Sequence, residues 1–367
     1  MGGNPALGVV FHWIGGFSSA SFYVPYKRIR HWNWEIFWLA GGIFSWAIAP
    51  WSFAAVGSRD LLGVLAATPP ATLAWCWFWG AMWGFGGLTF GLTMRYLGLS
   101  LGMAVALGLT TVIGTLGPPL FHGTIGQILA TAAGRLTLLG IAITLVGIVV
   151  VARAGQAKAR EVPGAAGEGA FDLRKGLAIA AFSGVMSGCF AWGLDAGQPI
   201  RDLTLKAGTA PLWQGLPVLC VVLLGGLTTN AAWCAWLIAR HKSFGQFLAL
   251  PQAQSPAPQA QTPAPQAHPP APQGHLAANY LLAALGGILW YFQFFFYTMG
   301  ESQMGRYGFS SWTLHMASII LFSTLWGFAL KEWLGTSRRT RALVWGGIGL
   351  LVGATVVIGG GNMLAAQ

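Results

Sequence analysis

Charged side chains are scarce in this sequence of 367 residues. Asp, Glu, Lys and Arg make up 8% of the chain, whereas 55% of its residues are hydrophobic and the mean hydropathy is +0.61. Soluble proteins carry roughly 25% charged residues, and disordered chains are poor in hydrophobic ones. The composition therefore excludes both classes. It predicts an all-α integral membrane protein with several spans, whose first partner is the lipid bilayer.

Acidic residues and cysteines are also few, at nine and four. The cysteines lie within hydrophobic runs and form no CxxC pair, so we expect neither disulfides nor a metal site. The sequence has no GxxxxGK[ST] loop and no HExxH motif, which argues against an ATP-driven pump and a membrane metalloprotease. We expect a protein that is not an enzyme and needs no cofactor.

Hydrophobic runs of about 20 residues can cross a bilayer as helices. Ten such runs are present, near residues 5–24, 36–56, 73–93, 98–120, 136–152, 176–195, 212–238, 277–299, 311–330 and 342–362. The fifth reads RLTLLGIAITLVG from Arg135, and the tenth reads RALVWGGIGLLVG from Arg341, with Gly at the same two positions. Because each half holds an odd number of spans, this match predicts two inverted five-helix repeats, a common architecture of secondary transporters.

The net charge of +11 is interpreted as a signal of membrane sidedness, and we expect no nucleic-acid partner. Fifteen of the 20 Lys and Arg fall in the odd-numbered connections between the runs. Since cytoplasmic loops are enriched in Lys and Arg, the odd connections are predicted to be cytoplasmic and both termini periplasmic.

The predicted architecture has three parts. Residues 1–153 form the first repeat, 154–175 a cytoplasmic connecting loop, and 176–362 the second repeat. Residues 251–275 interrupt the second repeat, and eight of these 25 residues are Pro, separated mostly by Ala and Gln. Pro at this density prevents a helix, and the segment has nothing to bury, so we predict a disordered cytoplasmic linker.

Polar residues inside a span are candidates for function, because burying them unpaired is costly. Helical periodicity places His12 on the Gly8–Gly15–Ser19 face of the first span, and Gln293 and His315 on inward faces of the eighth and ninth. Each could instead hold two helices together by a hydrogen bond. Asn33 is expected to cap the second span, with Glu35 as a favourable charge in its first turn. Glu35 is alternatively a proton acceptor. Arg95 follows the third span, where it contacts headgroups or closes a gate.

Six motifs follow one another along the chain: FHWIGG at His12, GLTMRYLG at Arg95, ARAGQ after the fifth run, WYFQFFFY in the eighth, WTLHM in the ninth and LKEW at its end. They resemble the L-rhamnose–proton symporter family of the drug/metabolite transporter superfamily, over nearly the whole chain except 251–275. The resemblance implies ten helices in two inverted halves, a bacterial inner membrane, and proton-driven uptake of L-rhamnose, with L-lyxose and L-mannose as further sugars. It does not identify the residue that carries the proton.

From these observations we expect secondary active transport by alternating access. A neutral sugar requires directional hydrogen bonds and flat apolar surfaces, which five residues can supply without a buried charge: Trp83, Trp290, Tyr291, Gln293 and His315. His12 is expected to carry the coupling proton, or another monovalent cation, because the unperturbed pKa of His is about 6.5. Glu35 is the second candidate for coupling, and Arg95 is the candidate gate. The alternatives are a drug or metabolite exporter and a cation-coupled carrier of another small neutral metabolite.

Overall fold

The computed structural model describes residues 3–162, 172–248 and 274–366. The predicted linker as far as residue 273 lies outside the described residues, as do the side chains of Arg95 and eight other residues between Gly91 and Ala104. All regular structure in the described residues is helical. The helices are α1 Pro5–Ser21, α2 Tyr23–Tyr26, α3 Trp34–Ile43, α4 Ala49–Gly57, α5 Leu61–Ala67, α6 Pro70–Phe121, α7 Ile125–Ala130, α8 Ala132–Glu161, α9 Leu173–Ala196, α10 Gln198–Lys206, α11 Leu216–His241, α12 Gly274–Gln303, α13 Ser311–Ala329 and α14 Arg338–Ala366.

Eight helices in the described ranges are long and apolar enough to cross a membrane. The segment Phe44–Ile48, a π-helical turn, joins α3 to α4 within one of them. Helix α5 and the first part of α6 meet at a bend of 105° and together could form a ninth span, and Val105–Phe121 is a shorter apolar helix. The prediction of an all-helical integral membrane protein is confirmed. The runs predicted at 73–93 and 98–120 both fall within α6.

The chain reverses direction within α6. The Ser183 hydroxyl of α9 donates a hydrogen bond to the carbonyl of Gly86 at 3.0 Å, and the Thr110 hydroxyl donates to the carbonyl of Gly184 at 3.1 Å. A straight helix would separate Gly86 from Thr110 by about 36 Å, at 1.5 Å per residue. Because both contact adjacent residues of α9, the two parts of α6 must lie side by side.

The connections that follow α2, α8, α11 and α13 lie at one end of the bundle, here called the basic end. Glu332 pairs with Lys27 at 3.8 Å and with Lys158 at 3.4 Å. Glu35, in the first turn of α3, accepts a hydrogen bond from His241 at 3.0 Å. All four connections are odd-numbered in the sequence prediction, so they share one side as predicted.

Even-numbered connections lie at the other end, here called the opposite end. The Arg59 amide donates to the Thr209 hydroxyl at 2.8 Å, and His122 contacts Asp195 at 2.8 Å. Arg59 precedes α6 and His122 follows it, so both ends of α6 lie here. The reversal lies at the basic end, where the carbonyl of Tyr96 accepts a hydrogen bond from the Asp172 amide at 3.2 Å.

Helices α8 and α14, which carry the matched sequences, pack against each other in antiparallel directions. Gly140 lies against Ile358 and Gly347 against Val151. The glycines that match Gly140 and Gly147 in sequence, Gly346 and Gly353, have no neighbouring atom within 4 Å of the point that a β-carbon would occupy. Matching glycines therefore do not have matching contacts, because the close contact on α14 uses Gly347, one residue later.

The two halves of the sequence interlock. Helix α1 packs on α12 and α13, α6 packs on α9 and α11, and α8 packs on α14. The largest cluster of buried hydrophobic side chains among the described residues runs from Trp46 on the first half to Met316 on the second. The polar residues of α1, α12 and α13 meet at the centre of this arrangement, between the halves.

Candidate functional site

Glycines allow α1 to approach α12 and α13 closely at the centre of the bundle. A β-carbon on Gly300 would lie 2.8 Å from Nε2 of His12, and one on Gly15 would lie 3.3 Å from Cε1 of His315. The Ser318 hydroxyl of α13 donates to the carbonyl of His12 at 2.9 Å, which fixes the two helices to each other. The small residues on the His12 face, expected from the sequence, thus bring two imidazoles together.

Three rings form the centre of the site. The ring centroids of His12 and His315 lie 6.2 Å apart, and Tyr297 lies 5.4 Å from each of them. All three side chains are buried. They come from α1, α12 and α13, so any shift of α1 relative to the other two helices changes the surroundings of both histidines.

Several buried polar atoms at this centre have no hydrogen-bond partner among the described residues. They are both ring nitrogens of His12, both ring nitrogens of His315, and Nε2 of Gln293. An unsatisfied buried polar group costs about 1–3 kcal/mol, and native proteins contain few of them. This concentration of unsatisfied groups in a membrane-embedded core is typical of a site that binds a polar ligand or a proton.

A continuous row of aromatic rings leads from the histidines to Trp83. Trp312 lies 6.5 Å from His315 and 5.7 Å from Phe190, and Phe190 in turn lies 5.1 Å from Trp83. Phe294 of α12 contacts both Phe190 and Trp83. Trp83 therefore lies inside the bundle, two rings away from His315.

The remaining candidates of α12 point in different directions. Trp290 packs against Phe22 at 4.2 Å, near the end of α1 that leads to the basic end, and against Phe294 at 5.9 Å. Tyr291 packs against Phe53 of α4 at 5.5 Å, and its buried hydroxyl has no partner among the described residues. The structure thus places His315 next to His12 and the carbonyl of Gln293 against Gly15, about one turn further along α1. Trp290 lies nearer the basic end, and Tyr291 lies on another side of the helix.

Glu35 lies apart from this centre. Its carboxylate accepts hydrogen bonds from Ser243 at 2.9 Å, from His241 at 3.0 Å and from the Asn33 amide at 3.2 Å, all at the basic end. Asn33 occupies the N-cap position of α3 but donates to Glu35 and does not cap the helix with its side chain. About ten residues of α1, roughly 15 Å of helix, lie between His12 and the basic end. Glu35 and His12 are therefore not in contact.

Two further residues of α12 were not selected as site residues from the sequence. Tyr297 and Glu301 follow Gln293 at intervals of four residues, so helical periodicity alone places all three on one face. Glu301 forms an ion pair with Arg201 of α10 at 2.8 Å, and the two side chains are 19% and 12% exposed. This pair borders a cavity of about 320 Å³ at the opposite end. The sequence gives no local signal for this pair, because its two residues are 100 positions apart.

Among the described residues, no group of three or more His, Cys, Asp or Glu is arranged to hold a metal ion. All four cysteines are free and buried. The fold and the site therefore define a polytopic helical membrane protein whose uncharged polar residues meet between two interlocked sets of helices.

Comparison with known proteins narrows this class. The sequence profile of the L-rhamnose-proton symport protein family matches residues 1–253 and 266–365, and the gap falls within the Pro/Gln-rich segment. An L-rhamnose-proton symporter of Cronobacter sakazakii is 38% identical over 353 residues, which cover 96% of each chain. Proteins of the same name from Klebsiella pneumoniae and Shigella sonnei are 35% and 36% identical over the same length, again with 96% of each chain covered. The chain belongs to the L-rhamnose-proton symport protein family, a family of transporters and not of enzymes.

Proposed function

We propose that the protein is a proton-coupled secondary transporter that carries L-rhamnose into the bacterial cell by alternating access. The observation that carries the proposal is the set of unsatisfied polar atoms on His12, Gln293 and His315, between the two interlocked halves. Membership of the family identifies L-rhamnose as the proposed sugar and the proton as the proposed coupling ion. A neutral sugar suits this centre, because it offers hydroxyl donors and acceptors and brings no charge into the core.

The same proposal includes ten membrane crossings in two inverted halves. It is supported by the reversal of the chain within α6 and by the antiparallel packing of α8 on α14. We propose that the basic end faces the cytoplasm of the cell and that both termini face the periplasm. The excess of Lys and Arg at the basic end supports this orientation.

For the sugar site we propose hydrogen bonds from Gln293 and His315 and stacking on the neighbouring rings. Trp312 and Tyr297 flank His315 directly, and Trp83 and Trp290 extend the aromatic surface on either side of Phe294. Tyr291 would serve only in a conformation that turns its hydroxyl toward the sugar.

For coupling we propose that His12 carries the proton. Its ring lies against Gly300 on one side and Tyr297 on another, so a small movement of α1 exposes it to one side of the membrane or the other. By linkage, a proton that strengthens sugar binding is itself held more tightly when sugar is bound. Glu35 and Arg95 remain proposals for a second acceptor and a gate at the basic end.

Purified protein in liposomes tests the function. An external medium more acidic than the liposome interior should drive accumulation of labelled L-rhamnose, accompanied by alkalinisation of that medium. Preloaded unlabelled L-rhamnose should accelerate entry of labelled sugar, since carriers exchange and channels do not. Accumulation that is independent of the pH gradient, or the absence of L-rhamnose exchange, would contradict the proposal. Net movement of other metabolites outward would favour an exporter.

A further inference from the structure

The cavity at the opposite end is lined by polar side chains. It is bordered by the Arg201–Glu301 ion pair and by side chains that both donate and accept hydrogen bonds, chiefly Gln198, Gln214 and Ser302. Its volume of about 320 Å³ lies at the lower limit of small-molecule sites, which range from roughly 300 to 1,000 Å³. The cavity therefore suits a small polar ligand.

The ion pair is incompletely satisfied. One hydrogen bond of 2.8 Å joins Nη2 of Arg201 to Oε2 of Glu301, whereas Nε of Arg201 is buried and has no partner among the described residues. A guanidinium offers donors only and a carboxylate acceptors only. Two neighbouring hydroxyls of a sugar can accept from the one and donate to the other, which neither an anion nor a cation can do.

The cavity shares helix α12 with the centre of the bundle. Glu301 lies one helical turn beyond Tyr297, and Tyr297 contacts both His12 and His315. About 12 Å of α12 separate Gln293 from Glu301. A ligand beside Glu301 therefore lies about two helical turns along α12 from Gln293.

We propose that this cavity is a second, peripheral binding site for a neutral polyhydroxylated ligand, the transported sugar itself, which docks on Arg201 and Glu301 before it reaches His315 and Gln293. The inference rests on the proposed function for the identity of the sugar. The inference does not depend on which end of the protein faces the cytoplasm, because binding is measured on solubilised protein.

A cysteine reporter tests the site. Ser302→Cys places a thiol in the cavity, and the four native cysteines are buried, so background labelling is low. L-rhamnose should slow maleimide labelling of this position in detergent. Glu301→Gln in the same background should raise the sugar concentration needed for protection roughly tenfold or more, because a hydrogen bond to a charged group is lost.

Three further variants separate the cavity from its surroundings. Gln127→Ala changes an exposed residue of α7 at the same end that does not line the cavity, and it should leave protection unchanged. Gln214→Ala shortens a lining side chain without touching the ion pair and should weaken protection even if Glu301→Gln folds poorly. Gln293→Ala alters the buried centre and should weaken transport while protection persists.

The outcomes distinguish the two proposals. Transport of L-rhamnose without any protection, or undiminished protection in the Glu301→Gln and Gln214→Ala variants, would overturn the peripheral site and leave the proposed function standing. Protection that disappears in Gln293→Ala would also overturn it, since the effect would then come from the centre. Protection without transport would support the site and contradict the proposed function.

Discussion

His12 and His315 face each other across the packed surfaces of α1 and α13, with 6.2 Å between their ring centroids. Neither ring makes a hydrogen bond to any described residue. Two imidazoles this close and this deeply buried are not both charged, because each positive charge would destabilise the other in a medium of low dielectric constant. The pair therefore carries at most one positive charge.

Replacing His12 by Gln tests the coupling proposal. Gln keeps a hydrogen-bonding group at this position but cannot titrate. We expect the variant to exchange L-rhamnose down its gradient while sugar-induced alkalinisation of the medium is lost. The measurement is a simultaneous record of labelled sugar and external pH in proteoliposomes. If the variant still accumulates sugar with proton uptake intact, the proton is carried elsewhere, and Glu35→Gln is the next variant to test.

Replacing Gln293 by Ala tests the sugar site. Removing the amide leaves a sugar hydroxyl without its partner, so binding should weaken by about 1–3 kcal/mol, roughly 5- to 150-fold in Kd. Isothermal titration of L-rhamnose into purified protein measures the change. Gln127→Ala, on exposed helix α7 at the opposite end, is the control and should bind normally. Unchanged affinity in a folded Gln293→Ala protein would mean that Gln293 only joins helices.

Gly300→Ala tests the close approach of α1 to α12. The added methyl group would lie 2.8 Å from Nε2 of His12 and 3.0 Å from the carbonyl of Gly8, so we expect a loss of about 1–3 kcal/mol in stability, typical of overpacking. Transport should fall with it. Thermal unfolding in detergent measures the first effect.

Gly353→Ala is the matched control for that variant, because no atom lies within 4 Å of the position its methyl group would take. Ala is the better helix former, so the control should be as stable as the parent protein or slightly more so. A Gly300→Ala protein with normal stability and normal transport would show that His12 is not confined as described.

Thiol labelling of intact cells tests the orientation. Cysteines introduced within 251–275 should resist an impermeant reagent, because this segment is predicted to be cytoplasmic. Gln127→Cys, at the opposite end and exposed, should react readily. The reverse pattern would place the termini in the cytoplasm and invert every assignment of inside and outside.

The sequence was sufficient to predict the class of fold and to predict which connections lie at the same end of the bundle. Hydrophobic length determines where a chain can cross a bilayer, and the distribution of Lys and Arg identified which connections share an end, as the contact of Glu332 with Lys27 and Lys158 confirms. The sequence also divided α6 into two runs, at 73–93 and 98–120, and the contacts of both parts with adjacent residues of α9 agree with that division.

The site was predictable only in part, for a physical reason. Periodicity assigns a residue to a face of its own helix but gives no information on which helix that face meets. His12 and His315 are therefore both recognisable as inward-facing, while their proximity depends on close contacts at Gly15 and Gly300, on two helices far apart in sequence. For the same reason periodicity does not reveal that Glu35 lies away from this centre.

The interlocking of the two halves has a consequence for biosynthesis. Helix α1 leaves the ribosome more than 250 residues before α12 and α13, its packing partners, have been made. Until then its Gly8–Gly15–Ser19 face and the ring of His12 lack their packing partners. During this time the face contacts lipid or insertion factors. The first half alone therefore lacks most of the contacts that stabilise it, and its correct assembly depends on synthesis reaching the last helices of the chain.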